Sequence, residues 1–314
     1  MSTSANTTSE SIKDKDAGRV YHTECTGAAL VTARAHADEK GVEEITLFGS
    51  CFCPFVQRVW VALEVLGIGY KVDEVDPYKK PKELLDVSPK GLVPALRFNR
   101  YQNPPRSLNE SSVILEFLED LAATTTKRGI LPPVTNPSDL DTDARALARL
   151  QADHVNRALV PAFYRYLQAQ DSEKQIAAGQ DFHMALEGLV KLLERAEREV
   201  VQATAGAAAG EGERRMLRRG LGLWLDEEVE LGWVDVVAGP WLYRAKIVLT
   251  HYRGFRMPEG ERFSRWLGRL FEHPAFRATC STEQLYLDSY ERYAFNRPNT
   301  SMVANAINEG RALP

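Results

Sequence analysis

Residues 45–60 read Ile-Thr-Leu-Phe-Gly-Ser-Cys-Phe-Cys-Pro-Phe-Val-Gln-Arg-Val-Trp. The first four residues form a short run of β-forming, apolar side chains that ends at Gly49, as expected of a buried strand. Apolar residues then recur at helical spacing, at Val56, Val59, Trp60, Leu63 and Leu66. Pro54 suits a first helical turn, where its missing N–H would have no partner anyway. The segment therefore predicts a strand, a turn with two cysteines, and a helix that begins directly after Cys53.

Cys53 lies where the first N–H groups of that helix are unpaired and the helix dipole is positive. Both effects stabilise a thiolate, and such positions lower a cysteine pKa from about 8.5 to roughly 3.5–7.5. Because the thiolate is the nucleophile of disulfide exchange, Cys53 is the predicted catalytic residue. A small buried core residue is the alternative interpretation of Cys53. Cys51 could resolve a disulfide at Cys53 or form a Cys-x-Cys disulfide with it. The interpretation of Cys51 as a small residue at the end of the strand is favoured over both.

The pattern after this helix continues as strands and helices and then becomes wholly helical. Shorter patterns predict a strand, a helix, a strand and an amphipathic helix, at residues 70–75, 82–87, 91–96 and 109–122. Long helical patterns without a convincing strand follow, at residues 143–167, 173–202, 234–249 and 262–272. The predicted fold class is thus α/β plus all-α, a β-α-β-α-β domain followed by an all-helical domain.

Composition shifts divide the chain into five regions. They are a partly disordered N-terminal extension with one helix in 19–42, an α/β domain, a Thr/Pro-rich linker, an all-helical domain and a C-terminal tail, at residues 1–42, 43–125, 126–140, 141–295 and 296–314. The first 18 residues are polar and lack an apolar period, which indicates disorder.

Composition also limits the function classes. The formal net charge of −4 implies no broad basic surface, so nucleic-acid binding is not expected. Four cysteines are too few for a disulfide scaffold in 314 residues and are interpreted as free thiols. The N-terminus lacks a signal-peptide core, and no stretch approaches the ~18 apolar residues of a membrane span. We therefore expect a cytoplasmic protein without a membrane partner.

Three motifs in this order resemble a known family. Strand, Cys-Pro-Phe and helix, then Gly-Leu-Val-Pro (91–94), then Asn-Glu-Ser-Ser (109–112) resemble a glutathione transferase. The motif Cys-Pro-Phe-x-Gln-Arg is similar to that of the omega class, and the surrounding sequence looks like the fungal omega-like members. The resemblance covers residues 43–290. It implies a thioredoxin-like N-terminal domain, an all-helical C-terminal domain, glutathione as co-substrate, no metal, and a homodimer.

The resemblance also assigns glutathione-binding residues. Cys53 matches the cysteine that forms a mixed disulfide with glutathione, and Phe55 matches the residue whose backbone lies beside the glutathione thiol. Val93 and a cis Pro94 match the pair through which Val93 offers its N–H and C=O to the glutathione peptide.

Two further sites complete the assignment. Ser111 can offer its N–H and hydroxyl to the γ-glutamyl carboxylate, and Glu110 can balance the α-amino group, although Asn-Glu-Ser-Ser alone would be read as a helix cap. Lys80 matches a lysine that pairs with the glycyl carboxylate, with a solvated charged face as the alternative. For a second substrate between the domains, the aromatic candidates are Tyr164 and Trp224.

One departure concerns the helical domain. Residues 233–243 resemble the family's buried helix with its capping box, but Gly232 stands where Ser or Thr is usual. Glycine supplies no side-chain oxygen, so we expect Asp235 to cap backwards.

A catalytic cysteine attacks sulfur, so the resemblance implies thiol transfer, dehydroascorbate reduction and reductive deglutathionylation, with poor conjugating activity. Three alternatives stay open. One is a xi-class hydroquinone reductase, whose motif usually has Trp where Phe55 stands. Another is a chloride-channel-like protein, whose membrane entry the charges at Glu64, Lys71 and Asp73 disfavour. The third is a non-enzymatic ligand carrier, against which the reactive cysteine argues.

Overall fold

The computed structural model describes residues 21–37, 44–102, 105–133, 139–202 and 217–314. The first half of the chain combines short strands with helices, and the second half is helical. The elements of the first half are α1 (Gly27–Ala35), β1 (Ile45–Gly49), α2 (Pro54–Leu66), β2 (Lys71–Glu74), α3 (Lys82–Val87), β3 (Ala95–Gln102), β4 (Pro105–Asn109) and α4 (Ser111–Thr124).

The four strands form one mixed sheet in the order β2-β1-β3-β4. β1 is parallel to β2, as the intervening helix α2 requires, and β3 is antiparallel to both β1 and β4. This arrangement confirms the predicted thioredoxin-like domain. β4 was not predicted, because it begins at Pro105 and has Leu108 as its one further apolar residue. Its place at the edge of the sheet, paired only with β3, tolerates a proline.

The second half confirms the predicted all-helical domain, since residues 139–202 and 217–314 contain helices and no strand. Its α-helices are α5 (Asp139–His154), α6 (Val160–Gln168), α7 (Ser172–Ala196), α8 (Trp233–Arg244), α9 (Thr250–Arg253), α10 (Glu261–Glu272), α11 (Pro274–Arg277), α12 (Glu283–Ala294) and α13 (Met302–Asn308). π-helical turns join α5 to α6 and α8 to α9. Within the described ranges, no helix is both long enough and apolar enough to cross a membrane.

Helix α8 lies in the centre of the molecule, and each of its residues except Tyr243 is buried. Asp235 caps it backwards, as predicted, because its Oδ2 accepts the N–H of Gly232 at 2.8 Å. The same oxygen accepts the N–H of Leu223 at 2.8 Å. A Cβ on Gly232 would lie 2.3 Å from the carbonyl oxygen of Arg219. The loop around Arg219 thus occupies the space of the usual Ser or Thr side chain.

The N-terminal segment 21–37 packs against both domains. Its helix α1 is shorter than the predicted 19–42, whose first and last residues lie outside the described ranges. The N–H of Ala29 donates to the Cys280 carbonyl at 3.0 Å, and the N–H of Cys25 donates to Glu74 Oε1 at 2.7 Å. The extension therefore connects strand β2 to the turn before α12.

The C-terminal segment, predicted as a tail over 296–314, contains helix α13. Ser301 caps this helix, since its Oγ accepts the N–H of Ala304 at 3.0 Å. Gln168 at the end of α6 donates to the Ala304 carbonyl at 3.1 Å. These contacts hold α13 against the helical domain beside the inter-domain cleft. Of the predicted linker, residues 134–138 lie outside the described ranges.

Candidate functional site

Cys53 is the N-cap residue of α2, with an extended backbone (φ −71°, ψ 121°) and Pro54 in the first turn. The turn before it is closed by the N–H of Cys53, which donates to the Ser50 carbonyl at 3.0 Å. The Cys53 carbonyl then accepts the N–H of Gln57 at 3.0 Å, the first bond of the helix. This geometry leaves the side chain of Cys53 half-buried at the N-terminus of α2.

Opposing effects act on the Cys53 thiol. Burial raises its pKa above the ordinary value, while the N–H groups of Val56 and Phe55 and the cations of Arg244 and Arg58 lower it. The net direction is upward, so the predicted low pKa of Cys53 is wrong, although the N–H groups at the helix start act in the expected direction. Removal from water disfavours the thiolate more than the amides and cations favour it.

The cis peptide bond between Val93 and Pro94 lies across from Cys53, as predicted. The Cys53 Sγ approaches the Val93 carbonyl oxygen at 3.9 Å. This turn precedes β3, and it brings the backbone of the half-buried Val93 to the cysteine. A peptide that paired with Val93 would lie directly over the start of α2.

Two adjacent cavities of about 460 and 390 Å³ open here, and Phe55 and Val93 line both of them. The larger cavity also contains Pro94 of the cis-proline turn and the two residues predicted for the γ-glutamyl end, Glu110 and Ser111. The smaller cavity contains Cys53, Lys80 and Tyr164. All seven residues predicted to hold or attack glutathione thus lie around one continuous cleft.

Glu110 and Ser111 begin helix α4 at the floor of the larger cavity. Glu110 is exposed and has a left-handed backbone (φ 68°), a conformation that non-glycine residues rarely adopt outside functional sites. Ser111 is buried in the first turn, and its Oγ accepts a bond from Arg58 Nη1 at 3.3 Å. The pair presents one carboxylate, one hydroxyl and unpaired helix N–H groups to the cavity, a set that suits an amino acid headgroup.

Lys80 lies at the far wall of the smaller cavity. Its Nζ donates to the Lys90 carbonyl at 2.9 Å, and its alkyl chain packs on Gly91, directly before the cis-proline turn. Because the lysine is half-buried and retains further N–H donors, it can pair with a carboxylate that enters from the Val93 side.

The two aromatic residues predicted to contact a second substrate lie in different parts of the structure. Tyr164 lines the smaller cavity with Cys53. Trp224 lies outside the cleft, which contradicts its predicted place beside a second substrate. It is buried in the 3₁₀ turn Arg219–Trp224, with its ring centroid 5.6 Å from that of Trp266 and the Arg262 guanidinium 4.3 Å above it. Its bulk fills the core of the helical domain, which helical spacing alone could not distinguish from a cleft position.

Several cleft residues were not predicted. Tyr290 and Tyr293 of α12 line the smaller cavity with Tyr164, and the stretch before and within α13 closes it. Val303 of α13 lines both cavities. The i, i+3 spacing of the tyrosines and the apolar residues of α13 were the available signals, but both lie at or beyond the end of the resemblance.

Cys51 faces away from the cleft. It is buried, and its Sγ donates to the His22 carbonyl at 3.2 Å. Burial and the nearby Glu74 carboxylate raise the pKa of its thiol. Cys51 therefore behaves as a core residue packed against the N-terminal segment, and all four cysteines are free. Among the described residues, no cluster of three or more His, Cys, Asp or Glu could hold a metal ion.

Comparisons with known proteins agree with this geometry. The family model described as "Glutathione S-transferase, N-terminal domain" matches residues 47–126. Among solved structures, glutathione transferase Omega 3C from Trametes versicolor is similar at 30% identity and a TM-score of 0.63, over 87% of this chain and 98% of that one.

Two curated relatives are similar at lower identity. The pyrimidodiazepine synthase of Drosophila melanogaster is 25% identical over 82% of this chain and 90% of its own length. The glutathione S-transferase DHAR2 of Arabidopsis thaliana is 23% identical over 76% of this chain and 89% of its own length.

Proposed function

This chain belongs to the glutathione transferase family, and we propose that it is a glutathione-dependent thiol transferase of the omega-like kind that works through Cys53. The observation that carries the proposal is the position of Cys53 at the start of α2, open to a cavity that continues past Val93 to Ser111. A serine or tyrosine at this position would only hydrogen-bond a glutathione thiolate, whereas a cysteine can form a bond to sulfur.

The reaction follows from that sulfur. The Cys53 thiolate attacks the glutathione sulfur of a glutathionylated substrate, so that a Cys53–glutathione disulfide forms and the substrate leaves as a thiolate that takes up a proton. The thiolate of a second glutathione then attacks the bound glutathione sulfur. Oxidised glutathione leaves, and Cys53 returns to the thiolate. With dehydroascorbate the mixed disulfide would form differently: two electrons and two protons pass from Cys53 and one glutathione to dehydroascorbate, the two sulfurs join, and a second glutathione then releases oxidised glutathione as before.

Different residues along the cleft bind different parts of glutathione. In our proposal Ser111 and Glu110 hold the γ-glutamyl carboxylate and amino group, Val93 pairs with the central peptide unit, and Lys80 meets the glycyl carboxylate. With both ends held, the glutathione sulfur lies over the N–H groups of Phe55 and Val56. Such prior alignment removes much of the entropic cost of a reaction between a thiolate and a disulfide.

One observation favours a second substrate class. Three buried tyrosine rings, Tyr164, Tyr290 and Tyr293, surround the cavity of Cys53. Rings stack well on flat aromatic groups, so glutathionyl-hydroquinones are a second candidate substrate. Comparing rates on a glutathionylated peptide and on a glutathionyl-hydroquinone distinguishes the two.

The proposal is tested by mass spectrometry after mild treatment with oxidised glutathione. One glutathione should attach per chain, and peptide mapping should place it on Cys53, because the other three cysteines are buried. An adduct on Cys25 or Cys280 instead would remove the basis of the proposal. We extend the proposal to a cytoplasmic homodimer without a metal, for which size-exclusion chromatography with light scattering is the check on the oligomer.

A further inference from the structure

Arg58, the fifth residue of α2, is a buried cation, and only 1% of its surface is exposed. Its Nη1 donates to Ser111 Oγ at 3.3 Å and its Nη2 donates to the Val237 carbonyl at 3.1 Å. The guanidinium carbon lies 4.5 Å from the centre of the Trp241 ring. The side chain thus spans from the start of α2 to α4 and α8.

Arg58 has no carboxylate partner among the described residues. Its Nε, also buried, has no acceptor. Burial lowers the pKa of its side chain to about 9, which still leaves the guanidinium protonated at neutral pH. A buried charge without a counter-ion is costly, and proteins rarely keep one without a reason. The Trp241 ring offsets part of that cost.

The position of this charge gives a reason. Arg58 lines the larger cavity together with Ser111 and Glu110. It lies directly behind the Ser111 hydroxyl, at the N-terminus of α4, a helix of 14 residues. An anion bound at that helix start would meet the N–H groups, the hydroxyl and, behind them, an unpaired cation.

We propose that Arg58 is the fixed counter-charge of the glutathione cleft, a positioning residue that orients Ser111 and stabilises the α-carboxylate of the bound γ-glutamyl group. This inference rests on the proposed function. The carboxylate completes an ion pair that the ligand-free protein lacks, so selectivity for a free α-carboxylate at that end of the ligand depends on Arg58.

The test compares two ligands by calorimetry, S-methylglutathione and its analogue in which the γ-glutamyl α-carboxylate is replaced by hydrogen. The S-methyl group prevents disulfide formation with Cys53. The unmodified protein should bind S-methylglutathione at least about ten-fold more tightly than the analogue, as for a charge-assisted contact. In Arg58→Gln, which keeps two donors but no charge, that ratio should fall below about three-fold, while Arg58→Lys should preserve most of it.

Arg244→Gln is the matched control. Arg244 is also buried without a carboxylate among the described residues, but it donates to the carbonyls of Phe52 and Pro240 and does not line the larger cavity. The ligand ratio should therefore stay unchanged in Arg244→Gln.

Stability supplies the second readout. Without ligand, Arg58→Gln should melt at the same temperature as the unmodified protein or higher, because an uncompensated buried charge has been removed. Three results would each overturn the inference and indicate that Arg58 only stabilises the fold. They are an equal loss of affinity for both ligands in Arg58→Gln, an unchanged affinity ratio, and a failure of Arg58→Gln to fold. If the unmodified protein bound neither ligand, the proposed function itself would fail.

Discussion

The sulfur of Cys53 lies 3.9 Å from the carbonyl oxygen of Val93, a residue 40 positions further along the chain. Cys53 precedes α2 and Val93 precedes β3, so the contact joins the start of a helix to the cis-proline turn before a strand. A tripeptide that paired with the Val93 backbone would carry its own sulfur to Cys53. Anchoring of the peptide and alignment of the two sulfurs would then depend on the same contact.

The reaction type should change with the residue at position 53. Cys53→Ser removes the nucleophilic sulfur but keeps a hydroxyl that can donate to a glutathione thiolate, so thiol transfer should fall to background while conjugation persists or rises. Cys51→Ser is the control, and it should retain thiol transfer because free glutathione resolves the mixed disulfide. Both reactions are assayed in both variants. Loss of thiol transfer in Cys51→Ser alone would identify Cys51 as the nucleophile.

Glutathione affinity should depend on the start of α4. Glu110→Ala or Ser111→Ala should each weaken glutathione binding by about 1–3 kcal/mol, the usual cost of losing a hydrogen bond to a charged group. Calorimetry on the folded variants measures the loss. Thr124→Ala, at the exposed far end of the same helix, is the control and should not change affinity. Unchanged affinity in all three variants would mean that residues 109–112 form only a helix cap.

Alkylation of Cys53 should have an alkaline midpoint. Burial raises the pKa of this thiol, so its rate of reaction with iodoacetamide should still be rising at pH values above the ordinary thiol pKa of about 8.5. Arg244→Gln should move the midpoint further up, because a nearby cation that favours the thiolate is lost. Rates are measured across pH with free glutathione as the reference thiol. A midpoint below that of glutathione would show that the helix start outweighs burial.

Tyr164 and Trp224 should affect different properties. Tyr164→Ala opens the wall of the Cys53 cavity and should raise KM for the thiol-transfer substrate. Trp224→Phe lies in the core of the helical domain and should lower the free energy of unfolding without changing KM. Steady-state kinetics and urea denaturation of both variants separate the two effects. If Trp224→Phe changed KM while stability stayed the same, Trp224 would contact the second substrate after all.

Stability should depend on Asp235 and on pH. Its two carboxylate oxygens accept three N–H groups, from Leu223, Gly232 and Trp266. Asp235→Asn turns an amide NH₂ toward at least one of these donors, so urea unfolding should show a loss of about 1–3 kcal/mol.

The pH dependence follows from burial, which raises the pKa of Asp235 to about 6 in the folded protein. The unfolded chain releases this proton near pH 3.9, so the folded chain binds more protons between about pH 4 and 6. The contribution of Asp235 to stability should therefore fall as pH rises through that window, and Asp235→Asn should lack that component. If the free energy of unfolding depended on pH identically in Asp235→Asn and in the unmodified protein, a raised pKa of the buried Asp235 carboxyl would be contradicted.

Local patterns predicted the elements that carry the candidate site, since strand β1, helix α2 and the start of α4 each follow from residues adjacent in sequence. Strand β4 escaped prediction because an edge strand of five residues with a proline has almost no apolar period. Helix α13 escaped because a short helix that packs on a neighbour needs little periodicity of its own. Trp224 was misplaced because an aromatic side chain has the same pattern in a core and in a cleft.

By itself, the sequence determined which residues can do chemistry and in what order the elements run, since turn residues, helix starts and apolar periods act over a few positions. Only the tertiary structure decided what surrounds those residues. In the folded chain Cys51 lies in the core and Cys53 lines the cleft. Arg58 lies behind Ser111, with no carboxylate partner among the described residues. The tertiary structure also reversed the expected direction of the Cys53 pKa shift. Burial and charge pairing depend on segments far apart in the chain, and no local pattern records how much water those segments exclude.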